Sequence, residues 1–402
     1  MMPTAELRRF SAAASMLMSQ APSSSLIAAL SRSAGFALSG IAPVPAEDSP
    51  EGRAQRTRFE QWIASGAAGE MEYLKRRNDQ GDLVRASLHS VFPWARSVIV
   101  CAADYSSAQP RSIDPAQSGT AWIARYAQTG SHVESETGSR PTDDAPSRPS
   151  DYHKVLLRRL QSLDAALKAK TGPFESRCYV DTGPLVERVY SRLAGIGWTG
   201  KNTCILNQRL GSWLFLGVIL TSLEPESDTL PQLAADRCGT CTRCIDACPT
   251  QALTPYQMDA TRCISYLTIE KRGPIPEELR PGIGRQVFGC DICQDVCPWN
   301  NKARTPSRQS DDPELAPRAA LVNPALDWLA GMSEEDFGHW FFGSPVKRAR
   351  FAGLRRNLAI AMGNSGLIRF LPRLKEWAAS NDPVLRESAQ WAIQRLDENH
   401  TD

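Results

Sequence analysis

The sequence predicts a multidomain protein of the mixed α+β and α/β class, with an N-terminal α/β domain, a cysteine-rich module and a C-terminal α-helical domain. In the first half of the chain, short apolar runs alternate with helical patterns. Eight of the eleven cysteines then fall between Cys238 and Cys297, and the remainder is helical. A length of 402 residues has room for two or three domains. The expected segments are a disordered extension over 1–25, the α/β domain over 26–225, the cysteine-rich module over 226–301, a polar linker over 302–320 and the helical domain over 321–402.

The composition is that of a soluble globular protein, with 42% hydrophobic and 22% charged residues. No apolar run approaches the roughly 18–20 residues of a membrane-spanning helix. Residues 1–25 lack a continuous apolar stretch and a cleavage site, so we interpret them as an extension rather than a signal peptide; a transit peptide fits less well. Cysteines in C-x-x-C groups without an export signal favour metal ligation over disulfides. We therefore expect a cytoplasmic monomer that does not associate with membranes.

The α/β domain begins with a helical pattern at Leu26 and continues to a buried strand at 97–103, SVIVCAA. Residues 128–150 have almost no apolar content and are expected to form a disordered insertion. The sequence RCYVDTG and residues 211–220 predict two further strands. Between the insertion and these strands, four leucines share one face of a predicted helix, namely Leu156, Leu160, Leu163 and Leu167.

The cysteine-rich module predicts two [4Fe–4S] clusters in a ferredoxin-like arrangement. The first run has the bacterial ferredoxin spacing C-x2-C-x2-C-x3-C-P, in which the fourth cysteine binds the other cluster. The second run lacks its first cysteine, because Val287 occupies that position, and Cys263 is the nearby candidate to replace it. The predicted ligands are Cys238, Cys241, Cys244 and Cys297 for cluster one, and Cys248, Cys263, Cys290 and Cys293 for cluster two.

Zinc is the alternative metal for this module. It would require tetrahedral pairs of C-x-x-C groups, which the three-cysteine run and the two Cys-Pro endings fit poorly. The other cysteines, Cys101, Cys178 and Cys204, are interpreted as small buried hydrophobic residues.

Residues 179–205 contain two patterns that imitate nucleotide-binding motifs. Gly195, Gly197 and Gly200 spell G-x-G-x-x-G, but they follow a helical stretch and precede a strand, which reverses the dinucleotide-binding order. The residue after Lys201 is Asn202 rather than Ser or Thr, so a phosphate loop is excluded. What remains is a Gly-rich turn where backbone can approach a large ligand closely.

Asp181 lies at the end of a predicted strand, a common place for a catalytic carboxylate. The alternative is a cap for a helix beginning near Pro184, which the local pattern by itself favours.

In the C-terminal part, Leu354, Leu358 and Ala361 recur at helical spacing. Residues 366–380 and 382–396 each predict one amphipathic helix, and Pro372 should kink the first or shift its start. Such pairs are typical of helical repeats, although one or two repeats are too few for a solenoid.

Four segments together resemble the epoxyqueuosine reductase family: VDTGPLVERVYSRLAGIGWTGKNT, the cysteine block ending CQDVCPWN, the RYA and DYHKVL elements, and PVKRARFAGLRRNLAIAMGN. The resemblance covers most of residues 26–397. It implies a cobalamin-binding α/β domain, a ferredoxin-like two-cluster module and a helical HEAT-like domain. It also implies reduction of epoxyqueuosine at the tRNA wobble position, with electrons passing from an unidentified donor through the clusters to cobalt.

The resemblance places Asp181 at the family's proton donor, and a carboxyl is chemically apt because the epoxide oxygen must leave as water. We expect this carboxyl to be partly buried. No D-x-H-x-x-G motif is present, so the cobalt ligand stays open, and the insertion at 128–150 departs from the family pattern. The residues expected to contact cobalamin are Tyr126, His153, Arg188, Lys201 and Asn202.

Between Ser344 and Lys375 there are eight basic residues and no acidic one, although the net charge of the chain is only +2. Phosphate-backbone binding needs such a cluster. A solvated helical face is the alternative, and the family's substrate favours contact with the anticodon stem-loop of tRNA. The expected tRNA-binding residues are Lys347, Arg348, Arg350, Arg355 and Arg356, and the cluster also contains Arg369, Arg373 and Lys375.

Two other functions are alternatives, one that needs only the clusters and one that shares all the cofactors. A ferredoxin-type electron carrier would leave the α/β domain and the basic helices without a purpose. A reductive dehalogenase-like enzyme acting on a small molecule would have no use for the basic helices.

Overall fold

The computed structural model describes residues 22–130, 151–225, 231–303 and 309–398. Most of the predicted extension and insertion therefore lies outside the described residues. Gln128 and Thr129, at the predicted start of the insertion, are described and buried, so the ordered chain continues further than expected. In the described ranges, no helix combines the length and the apolar character needed to cross a membrane.

The chain alternates short strands and helices and ends in a helical segment. The strands are β1 (Leu38–Pro43), β2 (Ser97–Asp104), β3 (Trp122–Ile123), β4 (Ser176–Tyr179), β5 (Trp198–Thr199), β6 (Ile205–Leu206), β7 (Leu214–Thr221), β8 (Leu253–Thr254), β9 (Gln257–Met258) and β10 (Gln286–Phe288). The helices are α1 (Ser24–Ser33), α2 (Pro50–Ala64), α3 (Arg125–Gln128), α4 (Tyr152–Thr171), α5 (Glu187–Leu193), α6 (Arg243–Asp246), α7 (Ile264–Ile269), α8 (Arg280–Ile283), α9 (Ile292–Asp295), α10 (Pro298–Ala303), α11 (Leu326–Gly331), α12 (Glu334–Trp340), α13 (Arg350–Asn364), α14 (Leu371–Ala378) and α15 (Pro383–Glu398). Short 3-10 helices lie at Glu72–Leu74, Ala260–Arg262, Glu277–Leu279, Ala319–Leu321, Pro345–Ala349 and Ile368–Phe370.

The central sheet has the order β1-β2-β7-β4, and every neighbouring pair is antiparallel. Both of its faces are covered. Ile99 and Cys101 of β2 pack with the leucines of α4, whereas Val98 and Val100 pack with Leu185 and Tyr190 on the α5 side. Burial of both faces explains why β2 is a continuous apolar run rather than an alternating one. The sheet is thus of the α+β kind, enclosed between two layers of helix. The expectation of an α/β domain is wrong for its strand arrangement, because every neighbouring pair in the central sheet is antiparallel.

The predicted elements of this region are confirmed with small shifts. The strand expected at 97–103 is β2, and the four leucines of α4 are fully buried, as their spacing requires. The strand expected at 211–220 begins only at Leu214, because a turn bridged between Asn207 and Gly211 precedes it.

The Gly-rich turn forms a hairpin of β5 and β6. A Cβ atom on Gly197 would lie 2.1 Å from the carbonyl oxygen of Leu206, and Gly195 has a φ of +72°. These glycines are therefore required by close packing within the chain. The expectation that they bring backbone close to a ligand is wrong at Gly197, while the exclusion of a strand–helix nucleotide motif is confirmed.

The C-terminal helices α13, α14 and α15 pack together, and a Cβ atom on Gly363 would lie 2.7 Å from the Cα atom of Ala392. Pro372 occupies the first turn of α14, so it shifts the start of that helix rather than kinking it. The backbone N–H of Val384 donates to Asp382 at 2.9 Å, which caps the start of α15.

The described part of the predicted linker is packed against α4. Arg159 donates to Asp312 at 2.6 Å and to Glu314 at 2.8 Å, and Leu315 is only 2% exposed. Residues 309–318 of the predicted polar linker are therefore not detached from the domains, because these ion pairs and Leu315 hold them on the α+β layer.

The helical segment and the cysteine-rich module share one apolar core. Strand β10 pairs in parallel with β3, and Phe288 packs with residues of α13. The amide of Asn357 in α13 donates to the carbonyl oxygens of Thr268 and Val287, both at 2.8 Å. Buried hydrogen bonds from a side-chain amide, such as these, fix α13 against the cysteine-rich module.

Candidate active site

Asp181 lies on the loop that follows β4, in a left-handed conformation with a φ of +57°. Tyr152 Oη donates to its Oδ2 at 2.5 Å. The helix that follows begins at Glu187 and has no side-chain cap, so the capping interpretation is wrong. The side chain of Asp181 is 51% exposed, so the expectation of a partly buried carboxyl is also wrong for this conformation, in which the loop presents it outward. A non-glycine residue at positive φ is strained, and such residues concentrate at functional sites.

His153 stands beside the same carboxylate. Its ring stacks on Tyr152 with centroids 4.0 Å apart, and its Nε2 lies 3.6 Å from Asp181 Oδ2. Its Nδ1 lies 3.5 Å from Asp151 Oδ2. Burial lowers the pKa of His153, but the hydrogen bond and charge of Asp151, with the charge of Asp181, outweigh it and leave the pKa raised. Both ring nitrogens therefore face carboxylates.

Two tyrosines line the site, with the rings of Tyr126 and Tyr152 in a T-shaped contact at 6.0 Å. Burial, followed by the negative charge of Asp181, raises the pKa of both phenols. Both therefore remain protonated hydrogen-bond donors at neutral pH.

Glu187, the first residue of α5, is a site residue that sequence reasoning missed. Burial, followed by the charge of Asp181, raises its pKa to about 7. Its Oε1 is buried and has no hydrogen-bond partner among the described residues. Glutamate is common at helix starts. The only signal for Glu187 in the sequence was therefore its position six residues after Asp181.

Arg348 brings the basic cluster to the edge of the site. It donates to Glu270 at 3.0 Å and lies 5.3 Å from the ring centroid of Tyr73. The charge of Asp181 raises the pKa of Tyr73. The charge of Glu270 raises the pKa of Tyr126, and the charge of Arg348 lowers it. The catalytic candidates and Arg348 of the basic cluster therefore belong to one electrostatic neighbourhood.

The residues predicted from the Gly-rich turn are engaged within the chain. Lys201 Nζ donates to the carbonyl oxygens of Gly239 and Cys241 at 2.7 and 3.0 Å. Asn202 is 1% exposed and donates to the Cys293 carbonyl at 3.3 Å. They join the hairpin to the cysteine loops, a role that sequence reasoning did not assign to them. Arg188 is exposed and donates to the carbonyl oxygen of Thr203 at 3.2 Å.

The electrostatic neighbours of the module's thiols follow the two predicted groups, with Cys204 as an additional neighbour of Cys293. Burial raises the pKa of the Cys297 thiol, with Cys238 and Cys244 as its charged neighbours. Burial likewise raises the pKa of Cys290, whose thiol neighbours are Cys263 and Cys248. The remaining neighbour relations join Cys244 to Cys238 and Cys241, and Cys293 to Cys290 and Cys263. The displaced ligand candidate Cys263 is thus placed with the second group, while the ligation itself stays a prediction.

Across the described ranges, no three His, Cys, Asp or Glu side chains converge closely enough to hold a single metal ion. Outside the module, Cys101 is fully buried in β2, and burial raises its pKa to about 12, which confirms its interpretation as a small hydrophobic residue. Cys178 is half-buried, and Cys204 lies near Cys293.

The predicted basic cluster divides into exposed and buried members. Lys347, Arg348 and Arg350 are exposed. Lys347 lies 5.8 Å from the ring centroid of Phe342, which is 49% exposed and has Lys154 at 5.9 Å on it as well. This arrangement of cations around exposed aromatic rings suits phosphates and bases.

Arg356 does not belong to that surface. It is 1% exposed and donates to the carbonyl oxygens of Leu267, Lys271 and Gly273. Its inclusion among the nucleic-acid contacts is wrong, because the helical face that carries it turns into the cysteine-rich module.

Arg355 is half-buried over the Trp377 ring at 5.1 Å. Three arginines of the cluster form ion pairs with acidic residues that lie outside residues 344–375. Besides the Arg348–Glu270 pair, these are Arg369–Asp327 and Arg373–Glu376.

Comparisons with known proteins add to this geometry. Residues 237–300 match the family described as 4Fe-4S double cluster binding domain, and residues 85–182 match Epoxyqueuosine reductase QueG, DUF1730. An epoxyqueuosine reductase of Pseudomonas aeruginosa is 37% identical over 367 residues, covering 90% of this chain and 92% of that protein.

Two solved structures are similar along most of the chain. One is an epoxyqueuosine reductase with a tRNA-Tyr epoxyqueuosine-modified tRNA stem loop. It has a TM-score of 0.73 and 28% identity, and covers 92% of this chain and 89% of that chain. The other is the Bacillus subtilis enzyme with its catalytic aspartate loop swung out of the active site. Its TM-score is 0.73 at 27% identity, with the same coverage.

Proposed function

The chain belongs to the epoxyqueuosine reductase family, and we propose that it reduces epoxyqueuosine to queuosine at the wobble position of tRNA with Asp181 as its proton donor. The observation that carries the proposal is the setting of Asp181. It is an exposed carboxyl on a strained loop, held by Tyr152 and flanked by His153, at the edge of a basic and aromatic surface. The described relative from Bacillus subtilis also has its catalytic aspartate on a loop.

Two [4Fe–4S] clusters fit the chemistry of the donor set. The eight thiols of the module would supply four donors to each of the two clusters, each set drawn from both cysteine runs in the crossed ferredoxin pattern. Lys201 and Asn202 support the loops of both groups by hydrogen bonds to their backbone. When bound, the clusters would supply single electrons from an external donor.

Cobalamin fits the region between the second cysteine group and Asp181. The charges of Asp181 and Asp291 both raise the pKa of Tyr126, and Asp291 directly follows Cys290 in the sequence. Cobalamin bound in this region would receive electrons from the clusters, and Asp181 would supply the proton to the same substrate. Tyr126, His153 and Arg188 are the side chains we propose to hold it, and its cobalt would supply the reducing electrons at the epoxide.

The chain's own contribution to the reaction is to hold and deliver protons. An epoxide oxygen cannot leave as oxide in water, so a positioned acid is needed at that atom. Tyr152 fixes the orientation of the Asp181 carboxyl through its 2.5 Å hydrogen bond. The neutral phenols of Tyr126 and Tyr152 can also donate to an oxygen that gains negative charge.

The tRNA substrate is proposed to bind across Lys347, Arg348 and Arg350. Arg348 connects this surface to the site through Glu270 and Tyr73, so a bound stem loop would bring its wobble base beside Asp181. Recognition of single-stranded RNA by splayed bases commonly uses aromatic platforms, and Phe342 with Lys347 and Lys154 offers one here.

The division of labour along the chain follows the predicted segments. We propose that 26–225 binds cobalamin, 226–301 holds the clusters, and 321–402 forms a HEAT-like helical domain for tRNA. The protein is proposed to work as a cytoplasmic monomer.

Substitution of Asp181 by Asn tests the catalytic assignment. The amide cannot donate the required proton, so we expect turnover to fall by about 10²–10⁴-fold. Iron content and stem-loop affinity should remain those of the wild type. Asp79→Asn, at an exposed position, is the matched control. Substantial epoxyqueuosine reduction by the Asp181→Asn protein would refute the proton-donor role.

A further inference from the structure

Removal of an epoxide oxygen needs two protons, whereas Asp181 holds one. In the reaction, both carbon–oxygen bonds break, a carbon–carbon double bond forms, and the oxygen leaves as water. The balance is one epoxide, two electrons and two protons giving one alkene and one water. The electrons come from the external one-electron donor of the proposed function. The second proton requires a source within the chain or from solvent.

Glu187 lies where such a source would be expected. Its carboxyl sits at the start of α5, at the end of the loop that carries Asp181, with Oε1 buried and without a hydrogen-bond partner among the described residues. A buried carboxyl oxygen without a donor is costly for the ionised form and tolerable for the acid. The negative charge of Asp181 also opposes ionisation of Glu187.

The charged groups around Glu187 define its behaviour. Asp181 disfavours its ionisation, while Arg85 and Arg188 favour it more weakly. Arg85 is itself engaged with the carbonyl oxygen of Leu185 at 3.1 Å. Burial dominates, and it raises the pKa of Glu187 to about 7. The residue can thus hold a proton at neutral pH and also release it.

We propose that Glu187 is a positioning residue that holds the second proton and passes it to Asp181 after Asp181 has released its own. This inference rests on the proposed function. It assigns to Glu187 the reloading of the proton donor, a role distinct from contact with the substrate.

The test compares Glu187→Gln with the wild type in turnover of epoxyqueuosine-containing stem loop across pH. In the wild type, kcat should fall as pH rises through about 7, because Glu187 then loses its proton. In Glu187→Gln we expect that decrease to be absent and kcat to be lower by about 10-fold or more. KM should not change, because the residue does not contact the RNA.

Three further variants separate this role from others. The pKa of His153 is also raised above its usual value, and His153→Gln should retain the decrease in kcat near pH 7, which shows that the imidazole does not cause it. Glu175→Gln, which removes an exposed carboxyl just before β4, should behave as the wild type. Glu187→Asp keeps a titratable group and should keep a pH-dependent decrease with a displaced midpoint.

A measurement on the wild type protects the test against a variant that fails to fold. The infrared band of a protonated carboxyl should disappear with a midpoint near pH 7. That component should be absent from Glu187→Gln or, if that variant does not fold, its midpoint should be displaced in Glu187→Asp. An unchanged pH profile in Glu187→Gln, or the absence of a carboxyl titrating near pH 7, would overturn this inference and leave the proposed function standing. A wild type that does not reduce epoxyqueuosine would overturn the proposed function, and this inference with it.

Discussion

At the scale of single residues, the candidate site is a set of acids held in different protonation states. Tyr152 and Tyr126 are buried phenols whose pKa values are raised, so they remain donors. His153 lies between two carboxylates, which keep its pKa above the usual value. Glu187 is held near its titration midpoint at neutral pH. Groups with such separated environments are the usual means by which one site performs acid and base steps.

The cysteine assignment makes a residue-scale prediction. Cys263→Ser removes one ligand of cluster two, so we expect that cluster to be lost or converted while cluster one remains. Iron content should fall from two four-iron clusters towards one. Electron paramagnetic resonance of the reduced protein would distinguish one cluster signal from two interacting ones.

Cys178→Ser is the matched control, because this thiol lies in the central sheet outside both groups. An unchanged iron content in Cys263→Ser would contradict the crossed assignment with Cys263 as the displaced ligand.

The cysteine groups could be predicted from the sequence because cluster ligation depends on spacing, which is local. Asp181 was found by its place after a strand, but its exposure was not predicted, since loop orientation depends on contacts from α4. Glu187 was missed for the same reason. Its burial arises from packing that no local pattern records.

At the scale of secondary-structure elements, α13 shows how a helix can carry both a surface and a core. Its first residue Arg350 is exposed, while Arg356 and Asn357 are buried and bonded to backbone carbonyls of the cysteine-rich module. Helical spacing predicted the buried apolar positions Leu354 and Leu358 correctly. It could not show that two polar residues also face inward, because their partners are about ninety residues away in the sequence.

A stability prediction follows for α13. Arg356→Met should destabilise the protein by about 3 kcal/mol or more, because three buried carbonyl oxygens lose their donor. Arg350→Met, on the exposed side of the same helix, should change stability by less than about 0.5 kcal/mol. Chemical denaturation followed by circular dichroism measures both. Equal stabilities of the two variants would contradict the buried role of Arg356.

At the scale of the whole molecule, the three segments are joined by a shared core rather than separated by free linkers. The β3–β10 pair connects the N-terminal part to the cysteine-rich module, and α13 packs on both. The sequence predicted three segments from changes in composition. The sequence did not predict that the segments share one core, because contacts between distant segments leave little periodic signal.

The basic surface gives a prediction at this scale. The triple variant Lys347→Ala/Arg348→Ala/Arg350→Ala should bind the stem loop more weakly, and its dependence on salt should be shallower by about 0.7–0.9 for each lost phosphate contact. The affinity should be measured at several salt concentrations. A triple variant of Lys168, Lys170 and Arg177, at the α4–β4 end of the sheet, is the control and should retain the wild-type slope. An unchanged affinity and slope in the first variant would contradict this surface as the tRNA site.

The most direct test of the central claim is turnover of an epoxyqueuosine-containing tRNA stem loop by anaerobically purified protein, with a strong chemical reductant and with or without added cobalamin. We predict that queuosine forms, that its formation requires both the intact clusters and cobalamin, and that it is lost in Asp181→Asn. Full cluster content and bound cobalamin without any queuosine product, or equal product in the absence of cobalamin, would contradict the account.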